Sequence, residues 1–292
     1  MRVAIGGSTG LLGAALARHL STSGHEVIRL VRGPVTASTQ RHWDPDAGRI
    51  DDPGLDDVDA VVNLAGSPIV GGRWTADRKT DLLRSRVTST LTIVTHLSPA
   101  GRCQRLLNGS AIGYYGDTGT EIVDETMPAG RGFLADLVAD WEAAAAHSPV
   151  PVALLRTGQV LARDGGYLAK QWPLFALGLG GRVGSGRQFL SWIGLADHVR
   201  ATAFLLASDL TGPVNLVAPE PVSNAEFTRA FGAHLRRPTP LPMPLGAVGM
   251  IFGREFVNEA LLSGQRVRPA RLLEAGFEFE QRTLSEAFAA LG

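Results

Sequence analysis

The chain has 292 residues, 45% of them hydrophobic, which is enough to fill the core of one large α/β domain and a smaller lobe without metal or disulfide support. Its 28 basic and 28 acidic residues cancel and form no block of like charge, which argues against nucleic-acid or anionic-membrane partners. A single cysteine, Cys103, excludes an internal disulfide and fits a reducing cytoplasm, and the seven histidines show no metal-type spacing.

The N-terminus MRVAIGG shows no basic region, apolar stretch and cleavage site in series, so the expectation is a soluble chain without a signal peptide. RVAIG reads as a first strand and LLGAALARHLSTSG as a helix, with Gly24 as its C-cap. EVIRLVR, DAVVNLAG, a long helical pattern over Ala76–Leu97 and RLLNGS follow. This alternation predicts a Rossmann-like, doubly wound parallel sheet with both faces covered. A helix from about Phe133 to Ala146 and the strand VPVALLRTG continue it.

Beyond that strand the composition shifts. Residues 163–192 are rich in glycine and aromatics and read as loop and short helix. GLADHVRATAFLLAS, SNAEFTRAFGAHL, EFVNEALLSGQ and TLSEAFAAL read as helices, with VNLVAP as a strand between the first two. The expected division is a dinucleotide-binding domain over 1–216 and a mostly helical substrate lobe over 217–292, to which 165–189 contribute. The apolar run from Pro240 to Gly253 is broken by Pro242, Pro244 and Gly246 and is too short to span a bilayer.

Between the first strand and helix lies GGSTGLLG, with Gly7, Gly10 and Gly13 in a GxxGxxG spacing. A tight turn, close approach to a pyrophosphate and close helix packing all require glycine there, and the helix N-terminus offers free N–H groups to phosphate. An NAD site would place a carboxylate at the end of the second strand, but here the strand closes with Val31 and Arg32. A guanidinium pairs with a 2′-phosphate, so NADP(H) is the expected cofactor.

GGSTGLLG, DAVVNLAG, NGSAIGYYG, LLRTGQVLA and GRQFLSWIGLADHVRA, in this order, resemble the extended short-chain dehydrogenase/reductase superfamily. The RWT, WEAAA, GLGGRVGSGRQ and LLSGQRVRPARL segments are similar to its atypical SulA-like epimerase family. The resemblance implies that Gly7, Ser8, Thr9, Gly10, Leu11 and Leu12 hold the pyrophosphate. It implies that Leu64, Ala65 and Gly66 line the adenosine side, that Asp81 and Arg86 belong to a cofactor-contacting stretch, and that Val160 lies beside the nicotinamide.

Active members of the superfamily use a serine and a Tyr-x-x-x-Lys pair on the next helix for proton transfer. Ser110 fits the serine. The pair is missing: Leu134 and Val138 occupy its positions, or Phe133 and Leu137 on shifting by one, and no tyrosine or lysine lies between Gly116 and Pro151. The candidate substitutes are Tyr114 and Tyr115 in the loop, and Lys170, which with Tyr167 forms a couple three residues apart. By resemblance Arg131, Arg182, Arg187, Gln188 and Trp192 flank the substrate cleft, pointing to a small and anionic substrate.

Three readings stand at this level. One is an NADP(H)-dependent oxidoreductase with Ser110 orienting the substrate, and another is a sugar-nucleotide epimerase or related enzyme. The remaining one is a non-catalytic NADPH-binding sensor or scaffold, for which the apolar PLPMPLGAVGMIF would offer a partner surface. A homodimer is left open. Ser110 lacks the GxSxG setting of a hydrolase nucleophile.

Overall fold

A computed structural model of the chain describes residues 1–291. Its centre is an eight-stranded sheet formed by β1 (Arg2–Gly6), β2 (Glu26–Val31), β3 (Gln40–Asp44), β4 (Arg49–Ile50), β5 (Ala60–Asn63), β6 (Leu106–Ala111), β7 (Val152–Thr157) and β8 (Gly212–Leu216). The spatial order is β8-β7-β6-β5-β1-β2-β3-β4, and every neighbouring pair is parallel except β3 with β4. The chain leaves β1 toward β2 and later returns to its other side as β5. This reversal opens a crevice at the carboxyl ends of β1 and β5, the place where such sheets take ligands.

Helix α1 (Leu11–Thr22) buries Gly13, Leu16, Ala17 and Leu20, one stripe of a 3.6-residue repeat, against the sheet. It ends as its sequence predicts: Gly24 has φ +82°, and the Gly24 and His25 N–H groups return to the Ser21 and Leu20 carbonyls. α1 packs beside α5 (Leu195–Ala207) on one face, while α2 (Ala76–Thr95) packs on α3 (Phe133–Ala145) on the other.

β3 was not legible in the sequence. QRHWD carries only one apolar residue, yet Arg41 and Trp43 both point inward. The buried Arg41 guanidinium is held by Asp57 through two bonds of 2.9 and 2.8 Å, so a paired charge takes the place of an aliphatic side chain.

α4 (Gly166–Ala176) and α6 (Asn224–His234) pack with the C-terminal helix Leu284–Ala289 around Phe175, Trp192, Phe227, Phe231 and Phe288. Ser223 and Glu226 form a capping box on α6, and Thr283 and Glu286 form another on the last helix. The chain after 217 also feeds the main core, where Leu272, Phe277 and Phe279 lie among the side chains between the sheet, α1 and α5. Asp197, fully buried at the start of α5, accepts from the Glu280 and Gln281 N–H groups and ties that segment down. No helix among the described residues is long and apolar enough to cross a membrane.

Candidate functional site

The glycine-rich turn has the geometry a pyrophosphate requires. Gly7 has φ +72°, and a Cβ there would lie 2.6 Å from the Leu64 carbonyl carbon, so the β1 turn is pressed against the β5 turn. A Cβ on Gly13 would fall on the Gly7 carbonyl oxygen, which lets α1 start close to its strand. Gly10 caps α1 without a side-chain bond, and no acid sits in the first turn, which leaves its N–H groups and positive end open. The Ser8 hydroxyl is buried without a hydrogen-bond partner among the described residues. Leu11 packs against Gly165 and Gly166, and Gly166 also abuts the Val160 carbonyl, so the strand Gln159–Ala162 and the head of α4 border the same crevice. Thr9 and Gly10 are exposed, Leu11 and Leu12 partly so.

Two cations flank the crevice. Arg32, exposed just past Val31 at the end of β2, has no ion-pair partner among the described residues. Arg86 is only 8% exposed, and its guanidinium donates to the Leu82 carbonyl (2.9 Å) and the Ser67 carbonyl (3.0 Å) and lies 5.2 Å from the centre of the Trp141 ring. It touches the Ala65–Gly66 turn, where a Cβ on Gly66 would lie 3.2 Å from Arg86 Cγ. No carboxylate among the described residues pairs with Arg86, and burial, helped by nearby Arg78, lowers its pKa to about 10. Asp81, five residues before Arg86 on α2, is exposed and lies 3.9 Å from Arg84.

Ser110 takes a different part from the expected one. Its hydroxyl points between β6 and α3 and donates to Glu142 Oε1 at 2.5 Å. Glu142 is gripped by Arg156, whose Nε and Nη2 each lie 2.8 Å from a carboxylate oxygen. Arg156 Nη1 also donates to the Tyr115 hydroxyl at 3.0 Å, and that hydroxyl donates to Asn215 Oδ1 at 2.8 Å. The network ends at Glu125, which accepts from the Asn215 N–H, and at the Arg268 carbonyl. Ser110, Glu142, Arg156, Tyr115, Asn215 and Glu125 are all buried. The serine and Tyr115 therefore join β6, β7, β8 and α3 beneath the crevice. Burial pushes the Tyr115 phenol up to about 12 even beside Arg156, far from a proton carrier at neutral pH.

The residue after Ser110, Ala111, is the last of β6. It packs with Leu82, Leu137, Val138, Phe133, Ile69 and Tyr114 in one apolar cluster. A Cβ on Gly113 would lie 3.6 Å from Leu134 Cβ and 3.9 Å from Val138 Cγ2, which leaves little space between this loop and α3. The wall where a proton donor is expected is thus apolar on both the strand and the helix side. Tyr114 lies across it with its ring 3.6 Å from the Arg156 guanidinium carbon, as a packed aromatic.

The Tyr167–Lys170 couple does not form. Tyr167 turns toward Phe227, while Lys170 is exposed and donates to the Val70 carbonyl at 2.7 Å, joining α4 to the loop after β5. Trp192 is fully buried with its indole N–H on the Glu220 carbonyl, so it stacks on no ligand. Gln188 donates to the Val183 and Leu261 carbonyls, Arg182 donates to the Gly184 carbonyl, and Arg131 and Arg187 are exposed. His198 is buried against the Thr157 hydroxyl at 3.1 Å. No group of three or more potential metal ligands occurs among the described residues.

Arg156 and Glu259 escaped the sequence reading. Arg156 had a signal, a charge inside the buried run VALLRT that demands a buried partner. Glu259 had none: from the C-terminal segment it accepts from the Phe133 and Leu134 N–H groups at 3.1 and 3.0 Å and caps α3 across a long sequence gap.

Comparison with known proteins agrees with this geometry. The profile of the NAD dependent epimerase/dehydratase family matches residues 3–217, and that of a domain of unknown function, DUF1731, matches residues 243–291. The chain is 50% identical to the epimerase family protein Mb2239 of Mycobacterium bovis, over 98% of this chain and 95% of that one. Its fold superposes on the crystal structure of human epimerase family protein SDR39U1 (isoform 2) with NADPH, at a TM-score of 0.92 and 34% identity, covering 100% and 99% of the two chains. A nucleoside-diphosphate sugar epimerase from Corynebacterium glutamicum is 33% identical at a TM-score of 0.82, with all of this chain matched to 58% of that one. With the glycine turn, the parallel sheet and the crevice at its carboxyl edge in place, the chain belongs to the NAD-dependent epimerase/dehydratase family and has its NAD(P)-binding, short-chain dehydrogenase/reductase fold.

Proposed function

We propose that the protein is an NADP(H)-dependent oxidoreductase in which the substrate meets the nicotinamide against an apolar wall and receives no proton from a Tyr-Lys pair. The observation that carries the cofactor reading is Arg86, a buried cation without a counter-ion among the described residues, at the Ala65–Gly66 turn. An isolated buried charge is costly, and a phosphate in the crevice offsets that cost. Gly7, Gly10, Gly13 and the unpaired Ser8 hydroxyl fit the pyrophosphate, and the free Arg32 fits a 2′-phosphate. The human relative's crystal structure contains NADPH, which supports the same choice.

A bound nicotinamide supplies or accepts hydride. The chain's own part is to exclude water with Ala111, Leu134, Val138 and Phe133 and to hold the substrate between the 1–216 unit and the 217–292 lobe, to which 165–189 contribute. A dry wall favours hydride transfer, and the phenol that lies across it, Tyr114, is packed over the Arg156 guanidinium. The suited substrate is a small molecule whose product charge is neutralised by water or by its own groups. Epimerisation through a keto intermediate needs a protein base at the same wall, so this geometry favours it less. The buried thiol of Cys103, its pKa raised by burial, accords with a cytoplasmic protein.

Titration of NADPH and NADH into wild type and Arg32→Ala tests the cofactor reading. Loss of one to two charge-assisted bonds weakens NADPH about 10- to 100-fold and leaves NADH nearly unchanged. Equal losses for both cofactors contradict it. The apolar wall also favours a second reading, an NADPH sensor without turnover, and oxidation of bound NADPH by any screened carbonyl or conjugated acceptor eliminates that reading.

A further inference from the structure

The segment after Pro244 is unusual for a surface. Helix α7 (Leu245–Phe252), LGAVGMIF, is apolar throughout, yet none of its residues is buried, and Met250 and Ile251 are 75% and 64% exposed. It forms one side of an open groove of about 830 Å³, and the helical turns containing Val257 and Leu262 form the other. That volume falls in the range of small-molecule sites, about 300–1,000 Å³. Gly249 keeps the floor low, because a Cβ there would meet only Val257, at 3.8 Å.

Two arginines stand at this groove, Arg73 and Arg254, and no acid among the described residues lines it. The nearby carboxylates are committed elsewhere: Glu255 to Lys79 at 2.5 Å and Glu259 to the head of α3. Arg73 donates to the Met250 carbonyl at 3.4 Å, and neither Arg73 nor the exposed Arg254 has an ion pair among the described residues. An apolar trough with unpaired cations matches one chemistry, a chain-like apolar body carrying a single anionic head. A second copy of the protein fits less well. A stable interface needs about 800 Å² per partner and a core depleted of charge.

We infer that this groove binds a single-chain amphiphilic anion, its apolar body along α7 and its carboxylate or phosphate head between Arg73 and Arg254. The site adjoins the Trp74 ring, which packs edge-on against Phe133 at the head of α3 and against Phe256 beside the groove. The inference does not depend on hydride transfer, because binding is read without cofactor.

Calorimetric titration of the full chain with decanoate, decyl phosphate and decanol tests it. Saturable 1:1 binding of either anion, about tenfold tighter than decanol, supports the site. The double variant Arg73→Ala/Arg254→Ala lowers anion affinity about tenfold and leaves decanol unchanged. Gly249→Leu fills the trough and removes binding of all three while NADPH affinity and the thermal melt stay at wild-type values. Equal affinity for decanol and decanoate overturns the proposal. So does anion binding that neither variant alters, or binding to anionic phosphatidylglycerol vesicles without saturable decanoate binding.

Discussion

The Ser110 hydroxyl lies 2.5 Å from Glu142 and donates its single proton to that carboxylate, which Arg156 holds by two further bonds. The serine therefore acts within the protein. Removing it with Ser110→Ala costs about 1–2 kcal/mol, as expected for one buried bond to a charged group. Glu142→Leu strands the buried Arg156 guanidinium and costs about 3–5 kcal/mol. Urea unfolding reads both, and NADPH affinity stays within about twofold for Ser110→Ala. A Ser110→Ala protein of unchanged stability that loses turnover returns the serine to the chemistry.

Arg86 separates binding from stability. Arg86→Met removes a buried cation with no acid partner, so the cofactor-free protein keeps its stability or gains about 1–4 kcal/mol. NADPH affinity falls about tenfold in the same variant. Thermal melts without cofactor and fluorescence titration with it give the two signs. A destabilised variant with intact affinity would instead make Arg86 a staple between α2 and the Ser67 carbonyl.

Two glycines with similar backbone angles should respond differently. At Gly24, with φ +82°, an added Cβ would meet nothing within 4 Å, so Gly24→Ala costs only the left-handed conformation, about 1 kcal/mol, and leaves NADPH binding intact. Gly7, at φ +72°, faces the Leu64 carbonyl at 2.6 Å, so Gly7→Ala costs more than Gly24→Ala and loses NADPH. Chemical denaturation and NADPH titration of both variants make the comparison. Equal behaviour of the two would show that the β1 turn yields easily.

His198 sets an acid limit. Burial holds its pKa at about 4, against about 6.5 in an unfolded chain. Below pH 6.5 the unfolded state takes up a proton that the folded state refuses, so stability falls as pH drops from about 6.5 toward 4. The loss approaches about 3 kcal/mol at the lower end. His198→Asn flattens this limb in melts recorded between pH 4.5 and 7.5, and an unchanged slope assigns the loss to other groups.

The sequence by itself determined the alternation of the main strands and helices through its apolar periodicity, β3 and β4 apart, and the nucleotide turn through Gly7, Gly10 and Gly13. It also determined that no tyrosine or lysine could stand on α3, because composition alone excludes them between Gly116 and Pro151. These are local properties, set by residues within one element or turn. Only the tertiary structure decided where side chains point. Ser110 and Ala111 are neighbours on one strand, and the packing of β6 against α3 sends the first to Glu142 and the second to the apolar wall. Asp81 and Arg86 share α2, and the β5 turn buries one while solvent keeps the other. Lys170 reaches Val70 and Trp192 sits in the core because segments 100 and 28 residues away meet them there. Such directions depend on register and on contacts between distant segments, which no local pattern encodes.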